Sequence, residues 1–132
     1  MSNLLSKSEN NYKAAKKLEE LGLYSSVPHC AYYSCFQLML DIEGAELPQK
    51  IGENSHNNLI STIFEEIKRE SHLKSVDFNN NINKLKNTRK KADYRKSQIN
   101  DKESKKCIKL AKDLTKLLSD VFNKKITYID EY

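Results

Sequence analysis

Residues 23–43 have the sequence LYSSVPHCAYYSCFQLMLDIE, which is the most apolar run in the chain. At helical spacing its apolar side chains occupy two sides of a helix and leave only a narrow polar stripe. A helix that is apolar nearly all round is buried on nearly all sides, and this segment is too short and too interrupted by Ser and Gln to span a bilayer. It therefore predicts the central helix of a bundle, capped by Ser25 or Ser26 and with Pro28 in its first turn.

Amphipathic segments flank this central helix at 3–21, 56–69, 78–97 and 101–123. Gly22 directly follows the first segment, where a left-handed C-cap is expected, and so short a joint favours antiparallel packing of the two helices. Ser55, after a loop over 45–55, and Asp77, after a polar break over 70–77, are the candidate caps of the third and fourth helices.

The predicted fold is all-α, an up-and-down bundle of four to five antiparallel helices. A length of 132 residues suits a single domain, 1–132, with its core at about 4–122 and a short extended tail at 123–132. Three cysteines without a CxxC pair, and an N-terminal stretch without an apolar signal core, predict reduced thiols in a cytoplasmic protein that does not enter a membrane. Because metal-ligand spacings and Gly-rich phosphate loops are missing from the sequence, neither a metal nor a cofactor is expected.

Basic residues concentrate in one part of the chain. Positions 84–112 carry twelve Lys and Arg against three Asp and Glu, although the net charge of the whole chain is only +5. Outside this stretch, acidic residues outnumber basic ones. Such a run forms either a solvated helix face or a surface for nucleic acid or an acidic protein.

Arg89 interrupts the apolar stripe of the fourth predicted helix. The stripe consists of Phe78, Ile82, Leu85 and Ala92. A guanidinium on such a face needs partners, because an unpaired buried charge is very costly, and Asp93 lies one helical turn away. Two interpretations remain open: Arg89 extends to the rim and pairs locally with Asp93, or it is held at a subunit interface or an active cleft.

Two motifs and one residue pair occur in a defined order along the chain. They are AYYSCF at 31–36, the pair Ser55-His56, and RKKADY at 89–94. This order resembles the HEPN superfamily (higher eukaryotes and prokaryotes nucleotide-binding) and, within it, the small prokaryotic proteins of the UPF0332 group. The resemblance covers about 4–122 and implies a bundle of four or five helices that is usually dimeric.

The resemblance also implies functions. Many HEPN proteins belong to toxin–antitoxin or defence systems, often beside a nucleotidyltransferase, and the catalytic members are metal-independent ribonucleases. Their signature is an Arg followed, after four to six residues, by a His on the fourth helix. Here Tyr94, Arg95 and Lys96 stand where that His is expected after Arg89, so the usual proton-transfer group is missing from this helix.

The candidate catalytic residues are therefore Arg89, Asp93 and Tyr94. The candidate nucleic-acid-binding residues are Lys86, Lys90, Lys91, Arg95 and Lys96. His29 and His56 are interpreted as capping or packing residues. Tyr32 and Tyr33 are interpreted as core residues, with a base-stacking site as the alternative.

Three functions follow from these residues. The first is a HEPN-like module without the Arg-x4-6-His motif that binds RNA, a nucleotide or a protein partner, such as an antitoxin or a nucleotidyltransferase-type protein, in a two-gene system. The second is a divergent metal-independent endoribonuclease toxin acting at the interface of a homodimer. The third is a plain helical interaction scaffold. The first interpretation makes the protein a binding module rather than an enzyme.

Overall fold

The computed structural model describes residues 3–44, 53–94 and 98–131, and all regular secondary structure in these ranges is helical. The helices are α1 Asn3–Glu20, α2 Val27–Glu43, α3 Glu53–Glu70, α4 His72–Tyr94, α5 Asp101–Phe122 and α6 Tyr128–Glu131, with a 3-10 turn at Tyr24–Ser26. The prediction of an all-α bundle is confirmed. None of the described helices combines the length and the apolar character that crossing a bilayer requires.

Helix α2 lies at the centre of the bundle, as its composition predicts. It packs against α1, α3, α4 and α5, and its apolar side chains are buried on all of these sides. Those fully shielded from solvent are Val27, Ala31, Tyr32, Cys35, Leu38 and Met39. Each large side chain buried in this way contributes about 1.5–3 kcal/mol by leaving water, so α2 organises the core.

The helices do not simply alternate in direction. Gly22, at a left-handed φ of +77°, allows the tight turn that brings α2 back along α1, and Asn57 meets Lys86 where α3 and α4 run antiparallel. Between α2 and α3, however, later residues of one helix contact later residues of the other. Phe36 stacks on His56 near the start of α3, and Glu43 contacts Glu66 near the end of α3. Helices α2 and α3 therefore run the same way, and the segment that joins them lies mainly outside the described residues.

Ser26 occupies the N-cap of α2, as predicted, although its side chain makes no capping hydrogen bond. Two other predicted helix starts are wrong. Helix α3 begins at Glu53, so Ser55 lies inside the helix and does not cap it. Pro28 does lie at the start of α2, where its missing N–H leaves no helical bond unmade.

The polar break predicted at 70–77 is largely helical. Helix α4 already begins at His72, with only Ser71 between it and α3. Ser71 Oγ accepts a hydrogen bond from the backbone N–H of Lys74 at 3.2 Å, so Ser71, not Asp77, is the capping residue. The helix ends at Tyr94, and residues 95–97 of the predicted helix lie outside the described part of the chain.

The predicted tail is helical in part: Tyr128–Glu131 form α6, whereas residues 124–127 have no regular secondary structure. The prediction of an extended tail is therefore wrong for Tyr128–Glu131. Tyr128 and Ile129 of α6 are buried in the core. The hydroxyls of Tyr128 and Ser8 are 2.6 Å apart, and Ser8 also donates a hydrogen bond to the backbone carbonyl of Ser34. Burial raises the pKa of the Tyr128 hydroxyl to about 12. The last turn therefore packs onto α1 and α2.

Candidate functional site

Arg89 is one of two charged residues of α4 that are buried, the other being Lys86. Arg89 is only 5% exposed. Three tyrosine rings surround the guanidinium, with Cζ lying 5.1 Å from the centroid of Tyr32, 5.6 Å from that of Tyr33 and 5.6 Å from that of Tyr94. Such cation–π contacts compensate in part for the lost hydration of the charge. Arg89 therefore does not extend to the rim, although it does form the predicted local pair with Asp93.

The hydrogen-bonding capacity of Arg89 is only partly used. Nη1 donates to the Tyr94 hydroxyl at 3.3 Å and lies 3.9 Å from Asp93 Oδ2. Nε is buried and has no hydrogen-bond partner among the described residues. Because a buried donor without a partner carries a desolvation cost, Arg89 retains the capacity to bind an anionic group.

His29, which the sequence indicates as a capping or packing residue, also contacts Asp93, and this contact was not predicted. His29 lies in the first turn of α2, and its Nδ1 is 3.0 Å from Asp93 Oδ2. Its ring also packs on Tyr33, with centroids 4.7 Å apart, while its side chain remains 52% exposed. Asp93 thus lies between an imidazole and a guanidinium. We call the cluster formed by His29, Tyr32, Tyr33, Arg89, Asp93 and Tyr94 the Arg89 centre.

One sequence signal pointed to His29. It precedes Tyr33 by four residues, so the two share a face of α2, and that face carries the AYYSCF motif. The proximity of His29 to Asp93 had no such signal, because the two residues are 64 positions apart.

His56 supports the Arg89 centre from α3 and is itself buried. Its Nδ1 lies 2.8 Å from the hydroxyl of Tyr32, and its ring stacks on Phe36 with centroids 4.2 Å apart. The interpretation of His56 as a packing residue is confirmed. Through its contact with the Tyr32 hydroxyl, His56 fixes the position of one of the three rings that surround Arg89.

The surroundings of Arg89 favour neutral side chains. Burial raises the pKa of the Tyr33 hydroxyl, and the positive charge of Arg89 only partly opposes this shift. Burial, followed by the negative charge of Asp93, raises the pKa of the Cys30 thiol. In such a desolvated setting, the attraction between Arg89 and an incoming anion is stronger than it would be in water.

Two of the five predicted nucleic-acid-binding residues contact other side chains of the protein. The Lys86 ammonium is buried and donates to Asn57 Oδ1. Lys91 forms an ion pair with Glu103 at 3.1 Å. Lys90 is half-buried on α4, and Arg95 and Lys96 lie outside the described residues. Lys86 and Lys91 therefore already have partners within the protein, and nucleic-acid binding by the five residues stays a prediction.

Within the described ranges, no three His, Cys, Asp or Glu side chains come close enough together to hold a metal ion. Cys30, Cys35 and Cys107 are free thiols. Burial raises the pKa of the Cys35 thiol to about 12, so this buried group is not a reactive thiolate at neutral pH.

These observations define a class of protein: a helical bundle in which a buried arginine of α4 faces an aromatic stretch of α2. The family model for the HEPN domain matches residues 1–121, and the chain belongs to this family. The narrower UPF0332 grouping stays a prediction. No curated protein and no solved structure matches the chain.

Proposed function

We propose that this chain binds single-stranded RNA at the Arg89 centre and cleaves it by attack of a 2′-hydroxyl on the adjacent phosphate. One observation carries this proposal. His29 of α2 lies 3.0 Å from Asp93, which in turn lies 3.9 Å from the Arg89 guanidinium. An imidazole therefore stands beside the arginine although α4 carries no His after Arg89, which favours the ribonuclease interpretation over a module that only binds.

The residues have distinct roles in this reaction. With Nδ1 bonded to the Asp93 carboxylate, His29 is held in the tautomer whose Nε2 is free to take a proton. His29 accepts the proton of the 2′-hydroxyl, the 2′-oxygen bonds to phosphorus, and the bond to the 5′-oxygen breaks. The leaving oxygen takes a proton from water. Arg89 stabilises the additional negative charge that develops on the phosphate, and Asp93 orients His29 instead of acting as the base.

Tyr94 controls access to Arg89 in this proposal. Its ring covers the guanidinium, yet the residue is 75% exposed and is the last of α4. The Tyr94 hydroxyl is attached to Arg89 by one hydrogen bond of 3.3 Å. Rotation of this single side chain would open the guanidinium to a phosphate, at the cost of one hydrogen bond and one cation–π contact, each about 1 kcal/mol.

The burial of Arg89 favours a second function, a module that binds RNA, a nucleotide or a protein without cleaving anything. In this version the three tyrosines stay closed over the guanidinium, and the half-exposed His29 and exposed Tyr94 supply the contact surface. A role beside an antitoxin or a nucleotidyltransferase-type protein in a toxin–antitoxin or defence system, and assembly as a homodimer, belong to either version as proposals.

The test is cleavage of a labelled, unstructured RNA by the purified protein and by Arg89→Met. Methionine replaces the guanidinium by an apolar chain of similar length, and Asp93 keeps its hydrogen-bond contact with His29 and a side chain that is 23% exposed. The unfolding midpoint of Arg89→Met in denaturant is compared with that of wild type to show that the variant is folded. We expect wild type to produce 2′,3′-cyclic phosphate ends and Arg89→Met to cleave about 10²–10³-fold more slowly. Arg69→Met is the matched control, because Arg69 is exposed on α3, away from the centre.

The outcomes separate the functions. Equal rates for Arg89→Met and wild type would refute the proposal, as would cleavage of an all-2′-deoxy strand, which has no attacking hydroxyl. RNA that binds and stays intact would support the binding module. If the protein neither binds nor cleaves RNA, the third interpretation, a helical interaction scaffold, is supported.

A further inference from the structure

A groove between α4 and α5 lies apart from the Arg89 centre, on the side of α4 that faces α5. We call it the α4–α5 groove. The residues that line it are Lys84, Asn87, Thr88, Glu103, Lys106, Cys107 and Leu110. Lys84, Asn87 and Thr88, the α4 residues of this lining, stand within the basic part of the chain and are not among the candidate site residues.

The charge of the α4–α5 groove is positive. Lys84 and Lys106 project from facing helices, both are exposed, and neither forms an ion pair with a described residue. Glu103 is the acidic residue of the lining, and Lys91 neutralises it at 3.1 Å. The hydrogen bond from Lys91, with one from the backbone of Asn100, holds the pKa of Glu103 below its usual range, so this carboxylate stays committed to those partners.

The remaining lining offers a hydrogen-bond donor and an apolar floor. The exposed Asn87 amide makes no hydrogen bond to the described part of the chain, whereas Thr88 Oγ1 already donates to the Lys84 carbonyl at 2.9 Å. Cys107 and Leu110 form the floor, and burial raises the pKa of the Cys107 thiol to about 11, which keeps it neutral. Two ammonium groups and an amide therefore surround a small apolar surface.

We infer that the α4–α5 groove binds a phosphate of an RNA strand, with the attached nucleoside against Cys107 and Leu110. Ammonium groups bind phosphate as point charges. The apolar surface of Cys107 and Leu110 beside them suits the nucleoside attached to that phosphate, whereas the carboxylate side chains of an acidic peptide carry no comparable apolar group. The inference rests on the proposed function, because the strand would be the one that reaches the Arg89 centre across α4. A helix is about 10–12 Å wide with its side chains, so a strand of a few nucleotides spans both.

The experiment compares two pairs of substitutions that remove equal charge. The first pair, Lys84→Gln with Lys106→Gln, removes the two exposed ammonium groups from the groove. Lys74→Gln with Lys102→Gln removes one exposed lysine from each of the same helices, outside the groove. Affinity for a fluorescent 2′-O-methyl RNA, which binds but has no attacking hydroxyl, is measured over a range of salt concentrations.

We expect the groove pair to weaken binding about tenfold at low salt and to reduce the salt slope by about 0.7, which corresponds to the loss of the one phosphate held between the two ammonium groups. The control pair should change both quantities much less. The same slope in the groove pair and wild type, or equal losses in both pairs, would overturn the inference and leave the Arg89 centre untouched. Binding that depends on Lys84 and Lys106 without any cleavage of ordinary RNA would refute the cleavage proposal alone.

Two competing ligands complete the test. Added mononucleotide should displace the RNA only weakly, because it makes a single phosphate contact. Displacement by mononucleotide as strong as by unlabelled RNA would assign the groove to a free nucleotide, and stronger displacement by oligoglutamate would assign it to an acidic protein. Either result would overturn the inference.

Discussion

Replacing His29 tests the Arg89 centre most directly, because His29 is the residue that the structure adds to the site. We expect His29→Ala to slow RNA cleavage by about 10²–10⁴-fold, the usual contribution of a positioned acid–base group. This corresponds to about 3–5.5 kcal/mol of transition-state stabilisation. RNA affinity should change little, because the phosphate is held by Arg89.

The structure also limits the effect of this substitution on stability. The His29 side chain is 52% exposed and makes one hydrogen bond to Asp93 together with a ring contact to Tyr33. Interactions of this exposure contribute about 0.2–1 kcal/mol, well below the 5–15 kcal/mol that typically holds a domain together. A loss of cleavage in His29→Ala therefore cannot be attributed to unfolding if the unfolding midpoint in denaturant moves only slightly.

The assay measures single-turnover cleavage, with and without added imidazole. Because His29 is half exposed, imidazole in solution should restore part of the rate in His29→Ala and none in Arg89→Met. His72→Ala serves as the control, since His72 is an exposed histidine at the start of α4. A rate for His29→Ala within about threefold of wild type would refute the reasoning, because no acid–base role contributes so little.

Three further predictions concern stability and assembly. Burial, followed by the hydrogen bond and charge of Glu66, raises the pKa of Glu43. The folded state therefore favours protonated Glu43. The resulting contribution to the free energy of unfolding is fully present at acid pH and is lost as the pH rises through the raised pKa. Glu43→Gln should accordingly increase the free energy of unfolding at pH 7 and have little effect near pH 4, which urea titrations at both pH values can check; a decrease at pH 7 would contradict it. Asn100→Ala removes the acceptor of the Glu103 N–H at 2.8 Å in the capping box of α5 and should cost about 1 kcal/mol; an unchanged melting temperature would show that the cap contributes nothing. The proposed homodimer should appear as a species of twice the chain mass, about 30.6 kDa from the 15.3 kDa of one chain, in equilibrium sedimentation at micromolar concentration, and monomer alone would exclude it.

Much of the fold could be predicted from the sequence because local patterns specify helices. The limits of α5 are correct to one residue, since its apolar periodicity and first-turn acids are unambiguous. The starts of α3 and α4 were misplaced because Ser55 and Asp77 are good caps in isolation, whereas packing extends both helices beyond them. In α4, Ser75 is fully buried and donates to the His72 carbonyl at 2.6 Å, which makes a polar stretch part of the helix.

The candidate site likewise has features that could be predicted from the sequence and features that could not. The sequence alone determined that Arg89 interrupts an apolar stripe and that Asp93 stands one turn away, because both facts follow from helical periodicity. Only the tertiary structure decided that His29 meets Asp93, that three tyrosines enclose Arg89 and that Lys86 is committed to Asn57. Each of these contacts joins different helices, and the packing of those helices depends on the whole core, not on any local pattern of residues.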